Sequence, residues 1–330
     1  MKDDVFFSVI MPIYNVNTDY LYAAFSSLEK QTYDNFELII INDGADVETA
    51  EAIDNYPFVI NKVTILKQDN QGQYLSRING LKKAQGDYVF FFDSDDLLTS
   101  DAFDILNDIA STKKPDVIMY GLPRFFIDER DMKEAVHFFE EGPVDKNTVI
   151  REMVKLHCNN ICSKCAKREL LSTDSDEIDG KLRNGEDLGQ AAKLVLKADS
   201  FYYTKKDIYL YRDNQEKREY YDTRNIHNVN FTVPLYNEVF IKNQKYNEML
   251  PFFKASVMNS VIYNSFLVCR FNNDRKEKYS LLDEMNKQEI VSILKGIKTP
   301  APILSSVVFN LLTKRQYFFF DILSKLYPLN

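Results

Sequence analysis

Apolar residues fall along the chain in two rhythms. Short runs rich in β-branched and aromatic residues, FFSVIMPIY (6–14), FELIIIND (36–43), KVTILKQ (62–68), DYVFFFD (87–93) and PDVIMYG (115–121), predict strands. Between them, Leu21, Ala24, Phe25 and Leu28 share one helical face and predict a helix over 18–30, while Leu75, Ile78 and Leu81 predict another over 73–84. Strands alternating with helices predict an α/β fold with a largely parallel sheet. From 122 to 212 the pattern is mixed, with a helix at 187–197 and short strands in SFYYT and DIYLY. Beyond about 223 strand signals fade, and MNSVIYNSFLVCRF and SSVVFNLLTKRQYFFFDILSKLY predict helices. No internal repeat or low-complexity linker interrupts the chain.

In such a sheet ligands bind outside the carboxyl ends of the strands. The polar residues at those ends are Pro12 to Asn15, Asn42 to Gly44, Asp69 with Asn70, and Asp93 to Asp96. The last group follows a run that reads as fully buried, where a carboxylate is costly to desolvate without a partner. A lone acid there would be a helix cap. Several converging on one edge predict a site for a divalent cation and a phosphate. Neither GxGxxG nor GxxxxGK[ST] is present, so a cation takes the place of a glycine-rich phosphate loop.

Composition narrows the setting. The 330 residues, 45% apolar and 13% aromatic, suffice for a large core. No apolar run approaches the roughly 18–20 residues of a membrane span, and MKDDVFFSVIMP lacks the features of a signal peptide, so the expected location is cytoplasmic. Four cysteines in so long a chain predict thiols rather than a disulfide framework. The net charge of −8 divides into −14 for residues 1–200 and +6 for 201–330. The acidic part argues against nucleic acid as a ligand. The basic, aromatic-rich remainder suits an anionic polymer, a membrane surface or another subunit, and equally an ordinary solvated surface. HCNNICSKC (157–165) has a C-x3-C-x2-C spacing used for iron–sulfur clusters, but the same spacing is one face of a helix, which is the preferred reading. His137 and His227 belong to no motif.

Five stretches in one order, SVIMPIYNV, SLEKQTYDNFELIIINDGA, QDNQGQYLSRINGLKKAQGDYVFFFDSDDLL, NGEDLGQAAKLV and YLYR, resemble the inverting glycosyltransferases of family 2 over about residues 6–215. The resemblance implies the GT-A fold, a Rossmann-like nucleotide-binding sheet with helices on both faces, over 1–220, and a mainly helical region over 221–330. Within the first part it implies a nucleotide-sugar half at about 1–121 and an acceptor half at about 122–220. It also implies a nucleotide-diphosphate sugar as donor, usually a UDP-sugar, and Mn2+ or Mg2+.

Carried over by position, Pro12 and Tyr14 open the nucleotide pocket, with strand packing as the alternative for Tyr14. Asp43 resembles the carboxylate that hydrogen-bonds uracil, Asn70 lies on the nucleotide side, and Arg77 resembles the basic residue near uracil and diphosphate. Asp93, Ser94 and Asp95 align with the DXD motif, in which Asp95 is the main metal contact and Asp93 faces the ribose or sugar and the ion. Asp96 reads as a cap for a helix starting near Thr99. Glu186 and Asp187 resemble the family's acidic pair, Asp187 being the base; by residue type alone they equally suit a helix's first turn. Arg212 resembles a basic residue near the diphosphate, with a surface arginine as the alternative.

The function so implied is transfer of a hexose or N-acetylhexosamine to a hydroxyl of a cell-surface glycan, a teichoic acid or a lipid-linked acceptor. The alternatives are a non-catalytic scaffold of the same fold and a nucleotidyltransferase, the latter disfavoured because its basic, glycine-rich loop is missing. In the last segment Phe309, Leu312, Phe319, Ile322 and Leu326 stand at helical spacings beside Lys314, Arg315 and Lys325. That face predicts packing within the protein first, then a homo-oligomer contact, then a peripheral contact at the inner face of the membrane.

Overall fold

The computed structural model describes residues 4–125, 132–155, 157–173, 186–213, 229–242, 247, 250–295 and 303–326. The chain forms two compact units, one comprising Met1–Val149, Asn160–Lys181 and Lys193–Arg218, the other Ile150–Asn159, Leu182–Ala192 and Glu219–Asn330. This differs from a single cut near 220: two short segments from the middle of the chain group with the helical remainder.

The first unit is built on an eight-stranded sheet. Its strands are β1 (Phe7–Ile13), β2 (Phe36–Asp43), β3 (Val63–Gln68), β4 (Tyr88–Phe91), β6 (Val117–Tyr120), β8 (Gly142–Val144), β9 (Lys164–Lys167) and β10 (Phe201–Thr204), in the order β3-β2-β1-β4-β9-β6-β10-β8. A smaller sheet joins β5 (Leu97–Leu98), β11 (Tyr209–Arg212) and β7 (Arg124–Phe125), in the order β5-β11-β7. The helices are α1 (Thr18–Glu29), α2 (Val47–Asp54), α3 (Gln73–Leu81), α4 (Ala102–Lys113), α5 (Lys146–Val154) and α6 (Glu186–Lys197), the last two passing from one unit to the other.

β1 pairs in parallel with both β2 and β4, so the order of the strands reverses there, as in a doubly wound fold. Every residue of β1 and β2 is buried, which is why their sequences are mainly apolar runs rather than alternating ones. Phe7, Phe36 and Phe90 gather on Phe103 of α4, with ring centroids 4.9–5.4 Å apart. The turn after β1 is closed by Asn17, whose Oδ1 accepts from the amides of Asp19 and Tyr20 and starts α1.

The cysteine segment departs from the helical reading. Ile161–Ser163 is one 3-10 turn, and Cys165 lies in β9, an antiparallel strand inserted between β4 and β6 and paired with Phe90 and Ile118. Pairing on both edges decides the conformation here, since the backbone of a strand inside the sheet is fully bonded only as a strand. No disulfide links the four cysteines.

Glu37 and Asp43 are carboxylates buried in this sheet, and Glu37 bears on its stability. Glu37 accepts from Ser8 Oγ at 2.8 Å and the Gln85 amide at 2.7 Å, and pairs with Lys62 at 2.7 Å. Burial pushes its carboxyl up, but Lys62, the Gln85 amide and Ser8 together outweigh that and hold it below the ordinary value. A depressed carboxyl adds stability above its unfolded value and loses it as pH falls through its folded value. Glu37→Gln is therefore expected to lower stability at pH 7 by about 1–3 kcal/mol and to flatten the acid limb of a plot of Tm against pH. An unchanged acid limb would show that the group does not stabilise the fold.

In the second unit, residues 229–242 form short helical turns, followed by α7 (Leu250–Phe271), α8 (Arg275–Lys287), α9 (Glu289–Lys295), α10 (Ile303–Thr313) and α11 (Tyr317–Leu326). Asp274 caps α8 through the Glu277 amide. Arg270 donates twice to the carbonyl of Ser324, and Lys278 pairs with Asp321 at 3.1 Å, tying α11 to its neighbours. The last apolar segment is two helices, broken at Arg315, whose φ of +57° turns the chain. The break separates the predicted apolar face: Phe309 and Leu312 are buried, whereas Phe319, Ile322 and Leu326 are exposed, together with Phe318. Among the described residues no helix is long and apolar enough to cross a membrane.

Candidate active site

Four loops leave the carboxyl ends of β1 to β4. β1 carries Pro12, which has no amide to donate. The carbonyl of Ile10 accepts from Phe92, so the same edge of β1 two residues later faces a position where β4 has already ended, and the ladder loses nothing there. The two strands part at this point. Tyr14 stands 43% exposed just past the end of β1. Asn15, at φ +36°, accepts from the Asp46 amide and ties this loop to the next.

Asp43, at the end of β2, is 2% exposed and shapes the loop after β3. Its carboxylate accepts from the amides of Gln71 and Gly72, both at 2.8 Å, and from Gln68 Nε2 at 2.7 Å. Asn70, exposed in that loop, donates to the Asp43 carbonyl. Gly44 has φ +69°, and a Cβ there would lie 2.7 Å from the Asn70 amide nitrogen. Gly44→Ala is thus expected to destabilise the protein by about 1–3 kcal/mol and to displace the loop. Thermal unfolding checks the first effect and protection of the Gln71 and Gly72 amides from hydrogen exchange the second; full protection would contradict it.

α3 begins after this loop and presents Gln73 and Arg77, one turn apart, to Asp93. Gln73 Nε2 and Arg77 Nη2 donate to Asp93 Oδ1 at 2.7 and 3.1 Å. The Arg77 side chain is 1% exposed and its guanidinium lies over the Phe91 ring. Its charge is therefore matched within the protein to the first aspartate of the DSDD turn.

That turn is held from the other side by β11. The Tyr209 hydroxyl accepts from the Asp93 amide at 3.0 Å and donates to Asp96 Oδ2 at 2.6 Å. The Arg212 amide donates to Asp96 Oδ1 at 2.7 Å, and Arg212 Nε to the carbonyl of Asp95 at 2.7 Å. The Arg212 guanidinium lies between the rings of Tyr20 and Phe125, 4.0 and 4.4 Å from their centroids. Arg212 is consequently a buried residue, not a surface one. Asp96 is also placed differently from the helix-cap reading: it is 1% exposed and bonded to β11, while α4 starts only at Ala102. Burial, with Asp95 and Asp93 close by, pushes its carboxyl well above the ordinary range, against the bonds from Tyr209 and the Arg212 amide. Ser94 and Asp95 remain half-buried at the tip of the turn.

Asp187 lies in the first turn of α6, half-buried, in the part of that helix that belongs to the second unit; the side chain of Glu186 is outside the described residues. Among the described residues no group of three or more His, Cys, Asp or Glu is arranged to cage an ion. Magnesium-like ions need no such cage, since one or two carboxylates with substrate phosphates and water complete the shell. The turn fits that mode: Asp95 sits on a pinned backbone, whereas Asp93 Oδ1 already serves Gln73 and Arg77.

Gln73, Tyr209 and the structural use of Asp96 were not legible in the sequence. Asp96 and Tyr209 are 113 residues apart, and only the pairing of β5 with β11 brings them together.

The family description "Glycosyl transferase family 2" matches residues 8–173, half of the chain. The chain belongs to this family. The match includes the four loops and ends before Asp187 and Arg212. Among curated members and relatives, GgaB of Bacillus subtilis (strain 168), a minor teichoic acid biosynthesis protein, is 28% identical over 218 residues, 64% of this chain but 23% of GgaB. TarP of Staphylococcus aureus (strain N315), a poly(ribitol-phosphate) β-N-acetylglucosaminyltransferase, is 33% identical over 147 residues, 43% of each chain. The chain thus spans about a quarter of the length of GgaB and less than half of that of TarP. The family fold is also that of S. aureus TarS 1–349, crystallised with UDP-GlcNAc, which matches with a TM-score of 0.71 and 16% identity over 97% of this chain and 90% of that one.

Proposed function

We propose that the protein is a metal-dependent inverting glycosyltransferase that moves a sugar, a hexose or an N-acetylhexosamine, from a UDP-sugar to a hydroxyl of a cell-surface glycan, with a teichoic acid as the first candidate acceptor. The observation that carries this reading is the DSDD turn at the point where β1 and β4 part, with Asp93 paired to Arg77 and the backbone of Asp95 held by Arg212. The family, the named acceptor of TarP and the nucleotide sugar bound by TarS support it.

A bound Mn2+ or Mg2+ would be held at Asp95, assisted by Asp93, and would stabilise the charge that grows on the departing diphosphate. The residues of the chain do the rest. Pro12, Tyr14 and the loop shaped by Asp43 and Asn70 receive the nucleoside; Arg77 pairs with Asp93 and orients it; Arg212 fixes the backbone of the turn. Asp187 takes the proton of the acceptor hydroxyl as that oxygen bonds to the anomeric carbon, opposite the bond to the diphosphate that breaks, and Glu186 supports it. The acceptor oxygen replaces the diphosphate on the other face of the sugar, which inverts the centre.

A panel of nucleotide sugars offered with poly(ribitol phosphate), with and without Mn2+, tests the proposal by release of free nucleoside diphosphate. The expected result is release from a UDP-sugar, only with the cation. Release from none of them, with or without acceptor, would favour a non-catalytic scaffold.

A further inference from the structure

We propose that the Tyr211 hydroxyl donates a hydrogen bond to the diphosphate of the nucleotide donor, an inference that rests on the function proposed above. Tyr209 and Tyr211 are two residues apart on β11 and so project from the same face. β11 pairs antiparallel with β5, Tyr209 opposite Leu98 and Leu210 opposite Leu97, and beyond that pairing Arg212 bonds to the Asp96 carboxylate and the Asp95 carbonyl. Tyr211 thus stands between two residues of β11 that are bonded to the DSDD turn, and the two tyrosines are used differently.

The Tyr209 hydroxyl is fully engaged, bridging the Asp93 amide and the Asp96 carboxylate. Tyr211 is half-buried, its ring packed against the core and approached by the Arg124 guanidinium at 5.7 Å. Among the described residues its hydroxyl has no hydrogen-bond partner. A tyrosine hydroxyl is protonated at neutral pH and can donate.

A neutral donor next to carboxylates is matched to an anionic acceptor. The carboxylates around it are already assigned: Asp93 to Arg77 and Gln73, Asp96 to Tyr209 and the Arg212 amide. The anionic group that belongs beside Asp95 is the diphosphate, and a hydrogen bond to a charged oxygen is the stronger kind. Placed there, the hydroxyl would also favour departure of the diphosphate, because the bond strengthens as charge accumulates on it.

The test is calorimetric titration of the parent, Tyr211→Phe and Tyr209→Phe with uridine, UMP and UDP in Mn2+, together with their Tm values. Tyr211→Phe is expected to keep its Tm and its affinity for uridine and UMP, and to lose about 10- to 100-fold in affinity for UDP. Tyr209→Phe is expected to lower Tm, since it frees the Asp93 amide and Asp96. Unchanged UDP affinity in Tyr211→Phe would overturn the assignment. So would an equal loss for UMP and UDP, or a fall in Tm equal to that of Tyr209→Phe, since either makes the hydroxyl part of the scaffold. A parent that binds none of the three nucleotides would instead overturn the underlying reading of the donor.

Discussion

Asp95→Ala is expected to reduce sugar transfer to background while the protein stays folded. The side chain is half-buried at the tip of a turn whose shape depends on other groups: the Tyr209 hydroxyl, the Asp96 carboxylate and the Arg212 guanidinium. Its backbone carbonyl accepts from Arg212 in that network, and alanine retains that carbonyl. Removing the carboxylate also removes the charge that would attract a divalent cation, and with it the means of bringing a diphosphate past Asp93 and Asp96. The effect should therefore appear in turnover and in cation dependence, with Tm nearly unchanged. A variant that transfers sugar at the parent rate would take Asp95 out of the site.

Asp187→Asn is expected to lower kcat by about 10²–10⁴, the range of a lost general base, while donor affinity survives. Asparagine keeps the size of the side chain and cannot accept the acceptor's proton at neutral pH. Glu186→Gln should be milder. A normal rate in Asp187→Asn would pass the role of base to another carboxylate, with Glu186 first in line. Single-turnover kinetics with a UDP-sugar separates this loss from any change in binding.

The sheet and its crossover helices were legible because their apolar residues are buried by local repetition: β1 and β2 are covered on both faces, and α1 and α3 each bury one face. β9 was not, because KCAK carries no long β signal and becomes a strand only by fitting between β4 and β6. The final apolar segment looked continuous, and no proline or glycine marks its break; Arg315 adopts the left-handed turn without a local cue. In the candidate site the strand-end residues stood out as types, but their tasks did not. Arg77 is tied to Asp93, Asp43 is occupied by the loop after β3, and Asp96 is bonded to β11. Such pairings join residues far apart in the chain, and periodicity holds no record of them.

The carboxyl edge between β1 and β4 is proposed above to bind a nucleoside diphosphate through a cation held at Asp95. Titration of UDP into the parent protein, in Mn2+ and after exhaustive chelation, tests it most directly. The account predicts tight binding with the ion and a loss of at least about tenfold, 1.4 kcal/mol, without it. UDP affinity that is the same in chelator as in Mn2+ would contradict it.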